Sequence, residues 1–398
     1  MKAVILAAGE GRRCRPLTQT RSKVMLPVGN RPFMEHVIRA LAANGIRDLI
    51  VVVGYQKERI MDHFEDGLRY GVRISYVVQD EILGTAHALS RVKDEIDGDF
   101  LVLSGDNLLD EKAVSELIAA PGEYVILAAM RRTTGDYGVL TVEENRVVAI
   151  AEKPGRPCAG ILNTGAYRFG LDIFQELPRT PISERGSYEL TQTLARMIDA
   201  GWEVRAHVTD GVWADAIFVW DLLSANSIAN GLREMEVKGN VEDGAQLRGP
   251  VEVGKGSIIR AGCYIVGPVS IGRNCDIGPN AIVLPSSTIC DSARVGSHTE
   301  IRNSIIMPGT RVGSGCIISD SVIGADCSIG DQFLAESGSS IVEVEDICRR
   351  AEFGSVVADH SCVGSRALML PGTMIGTDCR IGSGVTVRGS VERGSRVI

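Results

Sequence analysis

The stretch Ile271-Gly272-Arg273-Asn274-Cys275-Asp276-Ile277-Gly278-Pro279-Asn280-Ala281-Ile282-Val283 places an aliphatic residue at every sixth position, twice with a glycine directly behind it. The spacing runs on without a break, through Val253, Ile259 and Ile265 before it and through Ile289, Val295 and Ile301 after it. It slips through Val312, Ile318, Ile323 and Ile329, then resumes at Val357, Val363, Met369, Ile375, Ile381 and Val387. Chance gives two or three such spacings, not this series. A period of six with small residues at the corners is the signature of a parallel β-helix, in which one aliphatic residue per face points inward. Three faces make a coil of about 18 residues, and coils stack about 4.8 Å apart, so this half predicts about eight coils and a prism about 40 Å long. Residues 251–398 are therefore expected to form an all-β, left-handed parallel β-helix. Its exposed sheet edges and flanks invite self-association, and a homotrimer or another homo-oligomer is the expected assembly.

The chain has ten cysteines and no Cys-x-x-Cys pair. Cys263, Cys275, Cys316, Cys327 and Cys379 fall at one position of the repeat, which favours small-side-chain packing and free thiols over disulfides or metal.

Residues 1–232 follow another rule. Short apolar runs at Val4 to Ala7, Leu49 to Val53, Ile74 to Val78 and Phe100 to Leu103 alternate with helix-length segments around 33–44, 86–92 and 111–119. That alternation predicts a Rossmann-like α/β domain with a largely parallel sheet. The closer spacing of Val125 to Met130, Val139 to Val142 and Val147 to Ala151 adds antiparallel pairs, hence a mixed sheet. Residues 233–250 read as a linker. A chain of 398 residues exceeds what one core organises, so two domains agree with its length. Its net charge of −8 argues against nucleic acid and membrane surfaces as partners. The short apolar start and the lack of any long apolar run predict a cytoplasmic protein.

The first strand runs into Ala8-Gly9-Glu10-Gly11-Arg12-Arg13, with Lys23 further on. Two glycines let backbone N–H groups approach phosphate oxygens, and the cations neutralise them. The run Leu6-Ala7-Ala8-Gly9-x-Gly11-x-Arg13 followed by Lys23 resembles the signature loop of the sugar-1-phosphate nucleotidyltransferases, the family of glucose-1-phosphate thymidylyltransferases and N-acetylglucosamine-1-phosphate uridylyltransferases. The resemblance spans essentially the whole chain, since members often carry a hexapeptide β-helix. It implies that Ala8, Gly9, Gly11 and Arg13 bind the nucleotide phosphates and that Arg13, Lys23 and Lys153 are catalytic.

Further landmarks match in order. Gln79 with Gly84-Thr85 resembles the segment that reads the pyrimidine base of UTP or dTTP, since an amide offers donor and acceptor together. Asp106 after the strand ending at Ser104, and Asp215 in Trp213-Ala214-Asp215, resemble the two carboxylates that hold Mg²⁺. Gly138, Glu152 and Asn163 resemble the sugar-binding positions. After Asp215 this chain has Ala216-Ile217-Phe218-Val219 where the family has Gly-Pro, and it has Arg12 where the family has Thr. The resemblance implies nucleotidyl transfer from UTP or dTTP to a sugar-1-phosphate, with release of pyrophosphate.

Some relatives use the β-helix for acetyl transfer from acetyl-CoA to an amino-sugar phosphate. Laid on their pattern, this chain has Ser314 in place of the basic His and Ile317 in place of a Tyr. His298 and His360 fall at other coil positions, and the break around 331–353 is acidic. The expectation is a structural or oligomerising β-helix, with a bifunctional enzyme or a non-catalytic regulatory subunit as the competing readings.

Overall fold

The computed structural model describes residues 1–131, 137–152 and 159–398. The chain forms two compact units: Met1–Glu10, Arg21–Met25 and Phe33–Asp215 make the first, and Gly11–Thr20, Leu26–Pro32 and Ala216–Ile398 make the second.

The first unit is built on a nine-stranded mixed sheet. In chain order its strands are β1 (Lys2–Ala7), β2 (Asp48–Val53), β3 (Arg73–Val78), β4 (Phe100–Ser104), β5 (Tyr124–Arg131), β6 (Gly138–Glu143), β7 (Arg146–Glu152), β8 (Gly160–Phe169) and β9 (Val204–Val208). Their order in the sheet is β3-β2-β1-β4-β8-β5-β9-β7-β6. Strands β1 to β4 are mutually parallel, as their uninterrupted apolar runs predict. Strand β8 joins antiparallel to both β4 and β5, and β7 to β6.

Alternate side chains of these strands feed two cores. Ile5, Val51, Val53, Leu101 and Leu103 point to one face, where Met34, Val37, Ile38 and Leu41 of helix α1 (Phe33–Ala43) cover them. Val4, Ile50, Val52, Phe100 and Val102 point to the other, covered by helix α2 (Thr85–Ser90) and by Leu190, Leu194 and Met197 of α3 (Leu190–Asp199). Among the described residues no helix is long and apolar enough to cross a membrane.

The second unit is the β-helix. Three stacks of parallel strands, with nine, nine and eight members, form its faces. The hexad aliphatics Val253, Ile259, Ile265, Ile271, Ile277 and Val283 are all within 1% of full burial. Cys263, Cys275, Cys316, Cys327 and Cys379 lie in the same core as free thiols. The stretch 233–250, expected as a linker, already carries strands Glu236–Val237, Asn240–Val241 and Gln246–Arg248, each paired with its counterpart one coil later. Its apolar positions are sparse, so the six-residue signal starts only where a full core begins.

The slip in the repeat has a local cause. Val283 pairs with Ile301, eighteen residues on, but Ile301 pairs with Ile318 and Ile318 with Ala335, seventeen on. The missing residue is at the corner after the third face, where Asn303 and Asp320 turn the chain with φ of 42° and 46°. At the same corner of the next coil a hairpin is inserted, Gly338–Val344 paired antiparallel with Ile347–Phe353. The break expected over 331–353 is thus confined to the hairpin, since Leu334–Ala335 still pairs in the helix.

Helix Asp221–Gly231 packs within this second unit. Its contact face is polar: Asn226 Nδ2 donates to Ser286 O at 2.7 Å, and Thr288 Oγ1 donates to Asn226 Oδ1 at 2.7 Å. An asparagine face matched to a serine and threonine corner leaves no apolar period in the sequence.

Candidate active site

The carboxyl ends of the parallel strands carry the first group of residues, as in other open α/β sheets. Strands β1 and β4 are in register at Leu6 and Ser104, and Gly105 N donates to Leu6 O at 2.9 Å, which delivers Asp106 to the sheet edge. Asp215 arrives on a short strand, Trp213–Asp215, paired antiparallel with Asn107–Leu109 so that Asp215 is opposite Asn107. The two carboxylates converge on one cation. Lys23 Nζ donates to Asp106 Oδ2 and to Asp215 Oδ1, both at 2.6 Å. The lysine side chain is 11% exposed, so these pairs are poorly screened.

The sugar-type landmarks form a second group. A methyl group placed on Gly138 would lie 3.0 Å from Glu152 Oε2 and 3.8 Å from Asn163 Nδ2, which brings Gly138, Glu152 and Asn163 together. Asn163 Nδ2 donates to Tyr167 Oη at 2.7 Å, and burial raises the phenol of Tyr167 well above its ordinary range. Arg185 Nη2 donates to Glu152 Oε1 at 3.0 Å and to Glu189 Oε1 at 2.5 Å. The two groups are tied to each other: Asn107 Nδ2, next to Asp106, donates to Thr164 O, next to Asn163, at 2.6 Å.

Gln79, Gly84 and Thr85 form a third group. Gln79 follows β3, and its Nε2 donates to Gly84 O at 3.1 Å and is 2.8 Å from His87 Nδ1. Position 84 has to be glycine, because a Cβ there would stand 2.5 Å from Tyr188 O. Thr85 has a supporting role in this structure: its Oγ1 accepts the N–H of Leu190 at 2.9 Å, at the start of α3. Ala8 O accepts from Tyr55 N at 2.9 Å, and Gly9 O from Ser22 Oγ at 2.9 Å.

Gly11 and Arg13 fall in the second unit. Gly11 has φ 75°, a left-handed value that glycine adopts freely, and it opens the turn Arg12–Cys14. Arg13 Nε donates to Glu345 Oε2 at 2.8 Å, and its guanidinium lies 5.7 Å from the centre of the Phe218 ring. Lys153 lies outside the described residues.

Residues 2–229 match the family described as nucleotidyl transferase. The chain belongs to that family. This nucleotidyltransferase also matches the GMPPB C-terminal domain over residues 265–348 and the hexapeptide repeat of succinyl-transferase over 356–388. It is 30% identical to the Bifunctional protein GlmU of Methanocaldococcus jannaschii over 98% of its own length and 96% of that protein. It is 32% identical to the Bifunctional sugar-1-phosphate nucleotidylyltransferase/acetyltransferase of Sulfurisphaera tokodaii, over 99% of each. A crystal structure described as a glucose-1-phosphate thymidylyltransferase from Bacillus anthracis superposes with a TM-score of 0.54 at 26% identity, covering 59% of this chain and 98% of that one. The sugar-1-phosphate nucleotidyltransferase family that the motifs resemble is thus the family of the chain.

For the nucleotidyltransferase site, reading the sequence missed Asn107, Tyr167 and Arg185 as partners. Tyr167 and Arg185 carry no motif of their own. Asn107 stands beside Asp106, which was the available signal.

Proposed function

We propose that this sugar-1-phosphate nucleotidyltransferase takes UTP or dTTP as donor, with Mg²⁺ held by Asp106 and Asp215. The observation that carries the reading is the cation clasp, one ammonium 2.6 Å from an oxygen of each carboxylate. Two carboxylates aimed at one positive centre suit a hard divalent ion that completes its shell with phosphate oxygens and water. When bound, Mg²⁺ supplies neutralisation of the phosphate charge.

The chain's own groups do the rest by positioning. A sugar-1-phosphate oxygen attacks the α-phosphorus, the bond to the oxygen bridging α and β breaks, and pyrophosphate leaves. A phosphate monoester is already a competent nucleophile, so orientation and charge carry the step. Glu152 and Asn163 hold sugar hydroxyls, Lys153 pairs with the sugar phosphate, and Lys23 and Arg13 stabilise charge on the triphosphate. Gln79, with its NH₂ committed to Gly84 O, presents Oε1 to a ring N–H of the base.

We also propose a homo-oligomer, a trimer, formed through the third face of the β-helix. The first face is occupied by helix Asp221–Gly231, and the second presents Asp276, Arg294, Arg311 and Arg380 outward. The third presents Ile282, Ile317 and Leu334, which are 37%, 44% and 36% exposed.

The test is pyrophosphate release with Mg²⁺ over five nucleoside triphosphates and a panel of sugar-1-phosphates. Turnover confined to UTP and dTTP, and lost in Asp106→Ala, supports the reading; turnover unaffected by that change refutes it. A second reading, added acetyl transfer, is favoured by the bifunctional names of the relatives. Against it, Ser314 Oγ is 3.3 Å from Ser297 Oγ, and His298 and His360 are exposed corner residues with φ of 56° and 60°. A serine lacks the basicity of imidazole for taking an amine proton. Free thiol released from acetyl-CoA with an amino-sugar phosphate would establish it.

A further inference from the structure

The inserted hairpin of the β-helix reaches the signature loop. At its tip, Glu345 and Asp346 both have left-handed backbones, φ 51° and 61°, as a two-residue turn of this hand requires. Asp346 is a residue type that adopts this backbone readily, but Glu345 is not, so the one disfavoured residue of the turn is the one whose carboxylate reaches Arg13. Glu345 Oε2 accepts from Arg13 Nε at 2.8 Å. Lower on the same hairpin, the Arg349 guanidinium lies 4.6 Å from the centre of the Phe218 ring. At the hairpin's base, Phe353 stacks on Trp220 at 5.6 Å, and Trp220 stacks on Phe218 at 4.8 Å. The departure from Gly-Pro after Asp215 and the insertion in the β-helix therefore explain each other: Phe218 is the surface on which both arginines lie. Beside the tip of the hairpin lies an open cavity of about 320 Å³ whose lining includes Arg12, Arg15, Glu343, Glu345, Glu392 and Arg393, side chains of both charges.

We propose that the hairpin is a built-in competitor for the nucleotide, with the Glu345 carboxylate occupying Arg13 until a triphosphate displaces it. The proposal rests on the assignment of Arg13 to the triphosphate. A carboxylate and a phosphate offer a guanidinium the same hard anionic acceptor, and one Nε cannot serve both. Nucleotide binding then releases the tip, and the Phe218, Trp220 and Phe353 stack carries that release to the hairpin's base. Because the pair is partly exposed, the competition is modest, about two- to fivefold in apparent nucleotide affinity.

The experiment compares full-length wild type, Glu345→Gln and the hairpin control Glu343→Gln. Apparent KM for UTP or dTTP is measured by pyrophosphate release, and amide exchange across 338–353 with and without the nucleotide. Expected are a KM about two- to fivefold lower in Glu345→Gln alone with kcat unchanged, and faster exchange of the wild-type hairpin when nucleotide is added. Equal KM values, a raised KM or lowered kcat in Glu345→Gln, or unchanged exchange overturns the proposal. If the wild type turns over no nucleotide, the functional reading fails on its own account. The competitor is then judged with inorganic tripolyphosphate: tighter binding by Glu345→Gln than by wild type supports it, and equal binding overturns it.

Discussion

Asp215 is directly opposite Asn107 in a two-strand antiparallel ribbon, and this pairing sets its carboxylate against the same lysine that Asp106 holds. The chain separates the two acids by more than a hundred positions, yet one strand pair fixes their meeting point. Replacing Asp106 or Asp215 by Asn keeps shape and removes charge. We expect a loss of about 10²-fold or more in kcat, the scale seen when one preorganised charge-stabilising group is removed. The thermal midpoint by circular dichroism should move little, because Lys23 keeps the other carboxylate. A variant with near-normal pyrophosphate release would remove these residues from the site.

How far the sequence discloses this arrangement depends on the type of signal. The β-helix is legible because one aliphatic residue per hexad, as in Ile271, Ile277 and Val283, is demanded by each coil in turn. Of the parallel strands, β1, β2 and β4 are legible because both their faces are buried. Helix Lys57–Phe64 escapes notice because it buries only Ile60 and Phe64. Strand Gly160–Phe169 escapes because its register shifts between Asn163 and Ala166, where Asn163-Thr164-Gly165 interrupts the apolar run. In the site, single residues at strand ends could be marked by resemblance, whereas the links between them could not. The Asn107 bond to Thr164 and the Arg185 bridge between Glu152 and Glu189 join segments distant in sequence, and only the fold brings them together.

The geometry at Gln79 predicts base selection. Its NH₂ is oriented by Gly84 O, so the group it offers is an acceptor, which suits the ring N–H of uracil and thymine and not the ring acceptors of cytosine and adenine. Gln79→Leu is expected to raise KM for UTP and dTTP by about tenfold, the worth of a lost hydrogen bond with an unpaired polar edge left behind. Its KM for the sugar-1-phosphate should be unaltered. Equal use of CTP and UTP by the wild type would show that this amide does not read the base.

The third face of the β-helix predicts an assembly. Ile282 and Ile317 are exposed on neighbouring strand positions flanking Glu300, and apolar ladders of this kind become favourable when covered. The double change Ile282→Glu with Ile317→Glu should turn an oligomer into monomers by light scattering while circular dichroism stays native. A wild type that is monomeric at micromolar concentration disposes of the interface.

The buried thiols predict a pH dependence of stability. Burial pushes Cys275 up to about 11 and Cys327 up to about 12, and it raises Cys263 and Cys316 in the same direction. In the unfolded chain these thiols ionise near about 8.5. Above that pH the unfolded state releases protons that the folded state keeps, so the stability present below about 8.5 falls as pH rises towards the folded values. Each thiol contributes a slope of at most about 1.4 kcal/mol per pH unit in this window. Comparing urea midpoints at pH 8 and pH 9.5 stays below the range where Tyr70 and Tyr76, raised to about 12 chiefly by burial, begin to act in the same sense. The midpoint should drop between these pH values in the wild type and drop less in a Cys275→Ala, Cys327→Ala variant, although that variant starts lower because its core has lost volume. The same burial should leave the core thiols unmodified by iodoacetamide at pH 8 while the exposed Cys348 and Cys362 react. Equal pH sensitivity in the two proteins would assign the alkaline loss to groups other than the cysteine ladder.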